Sequence, residues 1–129
     1  MEIGETIEEG TCREVREEAG AEVDIQHLLA TYTVPRIGQV HMVFQAAMRS
    51  SQFLAGTESL DVRLFPLTEE SLPWGELAFP VNEWVLRDLL NLDGQSPAQP
   101  FTTRPEHRHQ RMSREPFHPD FPPPEADCR

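Results

Sequence analysis

Glu5-Thr6-Ile7-Glu8-Glu9-Gly10-Thr11-Cys12-Arg13-Glu14-Val15-Arg16-Glu17-Glu18-Ala19-Gly20-Ala21 is the stretch that decides how this chain folds. Thr6 and Glu9 stand three residues apart, the spacing at which a side-chain hydroxyl and a carboxylate each satisfy an open backbone N–H at the start of a helix. Gly20 supplies the stop, since the residue just past a helix commonly turns left-handed and glycine does so without a Cβ clash. Between them Ile7, Thr11, Val15 and Ala19 recur every fourth residue and give a weakly apolar face. Glu14, Glu17 and Glu18 stand at i, i+3 and i+4, neighbouring positions of one helical surface. Like charges so placed repel unless a cation compensates them, and carboxylate oxygens are hard ligands suited to Mg²⁺ or Mn²⁺. Arg13 lies four residues before Glu17 and can pair with it; Glu5 stands just outside the cap, within reach of the same ions. Acids on an exposed helix are ordinarily just solvated, so this run alone does not make a site.

Working outward, Val23–Val34 and Val40–Met48 are rich in β-branched and aliphatic residues, with Pro35-Arg36-Ile37-Gly38 between them. This pattern predicts two antiparallel strands joined by a short turn. Val62-Arg63-Leu64-Phe65 alternates and ends at Pro66, which reads as a third strand. Leu72-Pro73-Trp74 breaks the pattern. A last helix fits Pro80 to Leu90, with proline suited to the first turn and Val81, Trp84, Val85 and Leu89 on one face. Trp84 reads as core.

From Asp93 to Arg129 the composition changes. Eight of the 12 prolines lie here, with His107, His109 and His118, and no helical or strand period survives. The stretch reads as a disordered tail, which divides the chain into a folded part, 1–92, and a proline-rich tail, 93–129. His107-Arg108-His109-Gln110-Arg111 has no cysteine near it and reads as solvated rather than metal-binding.

The chain's 129 residues suit one domain with a modest core. The formal net charge is -11, every basic residue is arginine, and the folded part holds 16 of the 22 acids and 6 of the 11 bases. Such a balance excludes a general nucleic-acid binder, which needs cations against phosphate. It suits a small anionic substrate only if metal ions stand between carboxylates and phosphates. Cys12 and Cys128 offer neither metal spacing nor a disulfide framework, so a cytoplasmic setting is expected. No apolar run is long enough to span a membrane.

Glu5, seven residues, then Arg13-Glu14-Val15-Arg16-Glu17-Glu18-Ala19-Gly20-Ala21 resembles the later part of the Nudix box: Glu, seven variable positions, Arg-Glu, an aliphatic, any residue, Glu-Glu, any residue, Gly, an aliphatic. All six fixed letters stand at the right spacing, a coincidence of about 10⁻⁵ to 10⁻⁴ for a chain of this size. The resemblance implies an α/β fold, the Nudix-type α/β/α sandwich with a mixed sheet. It implies that Glu14 and Glu18 bind a divalent metal, Mg²⁺ or Mn²⁺. Glu17 would share in that binding or act as base toward water, Arg13 would orient the glutamates, and Glu5 would be an outlying metal ligand. The implied reaction is hydrolysis of a pyrophosphate bond in a small nucleotide, with no nucleic acid or membrane as partner. The family's box opens with a glycine six positions before Glu5, a position before Met1, and the family's first strands precede it; a chain lacking those strands is the expectation. An open sheet edge would follow, and with it a homo-oligomer.

Gly38–Phe44, Thr57–Phe65 and Leu72–Phe79 are similar to a bacterial Nudix subgroup that includes ADP-ribose and FAD pyrophosphatases. That likeness offers Glu58 as an acid outside the box that meets the substrate, with a plain loop glutamate as the alternative. Trp74 reads either as a base-stacking residue or as core, and His41 as a packed or edge histidine. Two other functional readings stand beside the hydrolase. One is an inactive remnant. The other is an interaction protein that uses Pro122-Pro123-Pro124 as a polyproline ligand.

Overall fold

The computed structural model describes residues 1–50 and 62–109. Glu58, His118 and Pro122–Pro124 lie outside the described residues. The described part gathers into two compact units, one within Met1–His27 and Phe44–Phe65, the other within Leu28–Val43 and Pro66–Arg129.

The first unit is built on α1, Ile7–Ala19. Its start is the expected reciprocal cap: Thr6 Oγ1 accepts from the Glu9 N–H at 3.1 Å, and Glu9 Oε2 accepts from the Thr6 N–H at 2.8 Å. Gly20 ends it in the left-handed region, φ 62°, donating its N–H to the Arg16 carbonyl. The chain then turns within two residues into β1, Val23–Val34. Arg16 reaches Glu22 at 2.7 Å, Arg49 reaches Asp24 at 2.7 Å, and the Cys12 thiol meets the Val23 carbonyl at 3.7 Å. Both ion pairs are exposed, so water screens them and each contributes little to stability.

β1 leads through a single 3-10 turn, Pro35–Ile37, into β2, Gln39–Met48. A connection this short requires an antiparallel pair. The other edge of β1 carries β3, Phe101–Thr102, in parallel, with Ala30 opposite Phe101 and Thr31 opposite Thr102. The order is therefore β2-β1-β3, a mixed sheet as expected.

The core of the second unit collects around α2, Pro80–Asn91. Leu29, Ala30, Tyr32 and Val34 of β1 bury themselves with Val81 and Trp84 of α2, and Ile37, Val43, Val85, Leu89, Leu92 and Phe101 pack around them. Trp84 is core, as the helical spacing predicts. Pro80 occupies the first turn, where its missing N–H costs nothing.

Two expectations are corrected. Val62–Phe65 is not a strand: the stretch is irregular and pairs with no strand among the described residues. Alternation alone does not make a strand where the backbone finds no edge to bond. Leu64 is 61 % exposed, so burial gives no substitute. The second correction concerns the segment read as tail. Its first part carries β3 and a 3-10 helix, Pro105–His109. A two-residue strand and a proline-started turn leave no periodic signal, yet they hold Phe101 against the core and bury His107.

Candidate active site

α1 is held in place so that Arg13, midway along the helix, becomes the hub of an acidic face. Arg13 Nε donates to Glu5 Oε1 at 2.6 Å and its Nη2 to Glu5 Oε2 at 3.3 Å, a two-point grip. Nη1 of the same guanidinium stands 3.0 Å from Glu14 Oε1 and 3.0 Å from Glu17 Oε2. Glu2 lies at the rim, 3.9 Å from Nη1. The structure thus brings together four of the five box residues singled out from the sequence: Glu5, Arg13, Glu14 and Glu17. Glu18 is exposed on α1 and enters no hydrogen bond or ion pair with them.

The Glu5 side chain and Arg13 are only 17 % and 19 % exposed, whereas Glu14 and Glu17 are 47 % and 58 % exposed. The Arg13 hydrogen bond, then the Glu2 backbone N–H at 2.6 Å, hold the Glu5 carboxyl down at about 2. Glu5 in turn raises Arg13 above its ordinary value, with Glu14 adding to it. Glu5 is therefore fixed as an anion committed to Arg13, and Glu14, Glu17 and Glu18 are the acids that face water.

A residue that sequence reasoning passed over makes this possible. Gly10 is the one buried position of α1. A Cβ built there would lie 3.0 Å from Glu5 Oε2 and 3.5 Å from the Met1 Cα. The absent side chain is what lets the Glu5 carboxylate lie against the helix. The signal was available: glycine inside a helix costs about 1 kcal/mol against alanine, so its presence there asks for a packing reason.

Among the described residues no three His, Cys, Asp or Glu side chains converge as a ready-made metal ligand set. The geometry explains this. Three carboxylates are drawn toward one guanidinium rather than toward a common point between them. The donor chemistry nevertheless fits a hard divalent ion, because the acids are all carboxylates and three of them face solvent on one helix.

A solved structure matches this chain. The crystal structure of a NUDIX hydrolase from Nitrosomonas europaea superposes with a TM-score of 0.66 at 38 % sequence identity, over 80 % of this chain and 58 % of that one. The chain has a Nudix-type α/β fold. It spans less than two thirds of the length of that Nudix neighbour. No protein-family model matches the chain, and no curated protein matches it.

The remaining sequence candidates fall elsewhere. Trp74 is half-buried under the Arg87 guanidinium, 4.0 Å from its ring centre, and its indole N–H bonds the Glu69 carbonyl. One face and the polar edge of that indole are therefore already engaged. His41 is a half-buried strand histidine with Nε2 3.0 Å from Gln39 Oε1. No helix among the described residues is long and apolar enough to cross a membrane.

Proposed function

We propose that the chain is a divalent-metal-dependent hydrolase that cleaves the pyrophosphate bond of a nucleoside diphosphate joined to a second group, such as ADP-ribose or FAD. The observation that carries this reading is the Arg13-centred carboxylate face of α1, in a chain whose fold and 38 % identity match a Nudix hydrolase. Glu14, Glu17 and Glu18 would hold Mg²⁺ or Mn²⁺. Such an ion supplies charge neutralisation at phosphate and a more acidic water. Arg13 orients Glu14 and Glu17 by holding one oxygen of each at 3.0 Å. Glu17 would share in the metal or act as base toward water, through the oxygen that Arg13 does not hold. Glu5 keeps Arg13 in register and carries no proton itself.

The test is release of a mononucleotide from ADP-ribose, FAD and NADH by the full chain with Mg²⁺ or Mn²⁺. Glu17→Gln and Glu18→Gln should each lower turnover by at least about 10²-fold, the range for loss of an acid–base group or an electrostatic partner. Metal-independent turnover, or turnover unchanged in both variants, would refute the mechanism. A folded chain with no turnover on any of the three would support an inactive relative instead.

A further inference from the structure

The second unit holds a group of ionisable side chains that the proposed hydrolysis does not use. Asp88 is 1 % exposed on α2, on the same face as Val81 and Trp84. Its Oδ2 accepts a hydrogen bond from the Tyr32 hydroxyl of β1, and its Oδ1 accepts from Arg104 Nη1 at 2.8 Å. Arg104 belongs to the short segment after β3. Three residues on, His107 is 6 % exposed and stacks flat on Trp84, with ring centres 4.2 Å apart and planes 9° apart. Its ring also meets Tyr32 edge-on at 6.0 Å. Thr103 adds a third tie, its hydroxyl accepting from the Thr33 N–H at 2.6 Å and donating to the Thr33 carbonyl at 3.1 Å. Together these clasp Phe101–His107 onto β1 and α2.

The protonation state of the clasp is set by its geometry. The Arg104 backbone N–H donates to His107 Nδ1 at 3.2 Å, and Arg104 Nη2 stands 3.1 Å from Nε2. Both ring nitrogens therefore face N–H groups, and among the described residues no hydrogen-bond acceptor faces either. A neutral ring accepts at one nitrogen only. A protonated ring accepts at neither, and adds a second cation beside the guanidinium. Among the described residues, the titratable and charged groups around the ring are Arg104 and Glu106 from its own segment, Asp88 from α2 and Tyr32 from β1. Burial first, then Arg104, lowers His107 below its ordinary value, against the smaller opposing pull of Glu106 and Asp88.

We propose that His107 is a pH-sensitive catch: its protonation releases the Phe101–His107 clasp, freeing the β1 edge at Ala30–Thr31 and uncovering Asp88. The clasp is at full strength above the ordinary imidazole pKa of about 6.5 and weakens as pH falls below it, because only the open form takes the proton readily. Each unit by which His107 titrates below a free imidazole favours the open form about tenfold once pH is below both values.

The experiment follows the full chain by two measurements. The first is titration of the histidine ring protons by NMR, with His107 assigned by loss of its signal in His107→Gln. The second is hydrogen exchange of residues 101–107 at about pH 7.5 and about pH 5, corrected for the intrinsic pH dependence of exchange. His107 should titrate below a free imidazole, and protection of 101–107 should fall on acidification while that of α1 holds. In His107→Gln and His107→Phe, which cannot take the proton, protection of the clasp should not change with pH. Normal titration of His107 with unchanged protection overturns the proposal, and so does equal acid loosening in the variants. Should neither variant fold, the wild-type titration and exchange decide it alone.

Discussion

Arg13 and Arg104 each gather acids around one guanidinium, yet the two regions use it in opposite ways. On α1 the arginine faces more carboxylates than it can neutralise. Glu14 and Glu17 point to water, and the surplus negative charge is left for something else to meet. Around α2 the arginine faces two carboxylates, exposed Glu106 at 2.9 Å and buried Asp88, whose two oxygens are both taken. The first arrangement is unfinished and fits binding; the second is complete and fits holding the chain together. Unbalanced charge on an exposed face and satisfied charge in a core are thus different signatures, even when the residue types are the same.

The largest expected effect breaks the second region. Trp84→Ala removes the ring that His107 stacks on and Tyr32 meets edge-on, at 5.7 Å. It should cost about 3–5 kcal/mol, read as a lower urea midpoint. A cost under about 1 kcal/mol would mean the ring is not the centre of that core. Next comes Thr6→Ala, which removes the cap of α1 and should cost about 1 kcal/mol in the same measurement. An unchanged midpoint would show that Glu9 alone suffices for the cap.

Acid sharpens the comparison further. Glu5 stays ionised down to about 2 in the fold against an ordinary 4.5, so its contribution is whole above 4.5 and lost as pH falls toward 2. Thermal midpoints over that window should therefore drop more steeply for the wild-type chain than for Glu5→Gln. Parallel curves would show that the Arg13–Glu5 grip adds nothing to stability. The smallest effect belongs to Gly10→Ala. Helix propensity favours alanine by about 1 kcal/mol, while the new Cβ crowds Glu5 Oε2 at 3.0 Å. The midpoint should move by less than about 0.5 kcal/mol, and the shift should be larger and positive in a Glu5→Gln background. Identical shifts in both backgrounds would remove Glu5 as the reason for the glycine.

The sequence was most legible where the forces are local. Thr6, Glu9 and Gly20 marked both ends of α1, because caps act within four residues. Val81 and Trp84 showed the buried face of α2 by helical spacing. Asp88 stands on that same face, and a charged residue in a buried stripe asks for a partner, but nothing nearby in sequence names it. Its partners, Tyr32 and Arg104, lie 56 and 16 residues away. Val62–Phe65 shows the opposite failure, a local pattern that pairs with no strand among the described residues. The site was read in the same way: the i, i+3, i+4 glutamates and Arg13 could be placed on one face, but that Arg13 would draw Glu5, Glu14 and Glu17 to itself follows only from three-dimensional approach.

The parallel pairing of Ala30 with Phe101 carries a consequence for the order in which the molecule forms. α1 can form as soon as its own residues exist. The core around Tyr32 and Trp84 cannot close until the chain has been made through His107, because contacts of such long sequence separation are the slow ones in folding. A ribosome releasing this protein would therefore present the acidic helix before that core and leave Leu29, Tyr32 and Trp84 without their last cover until His107 has emerged.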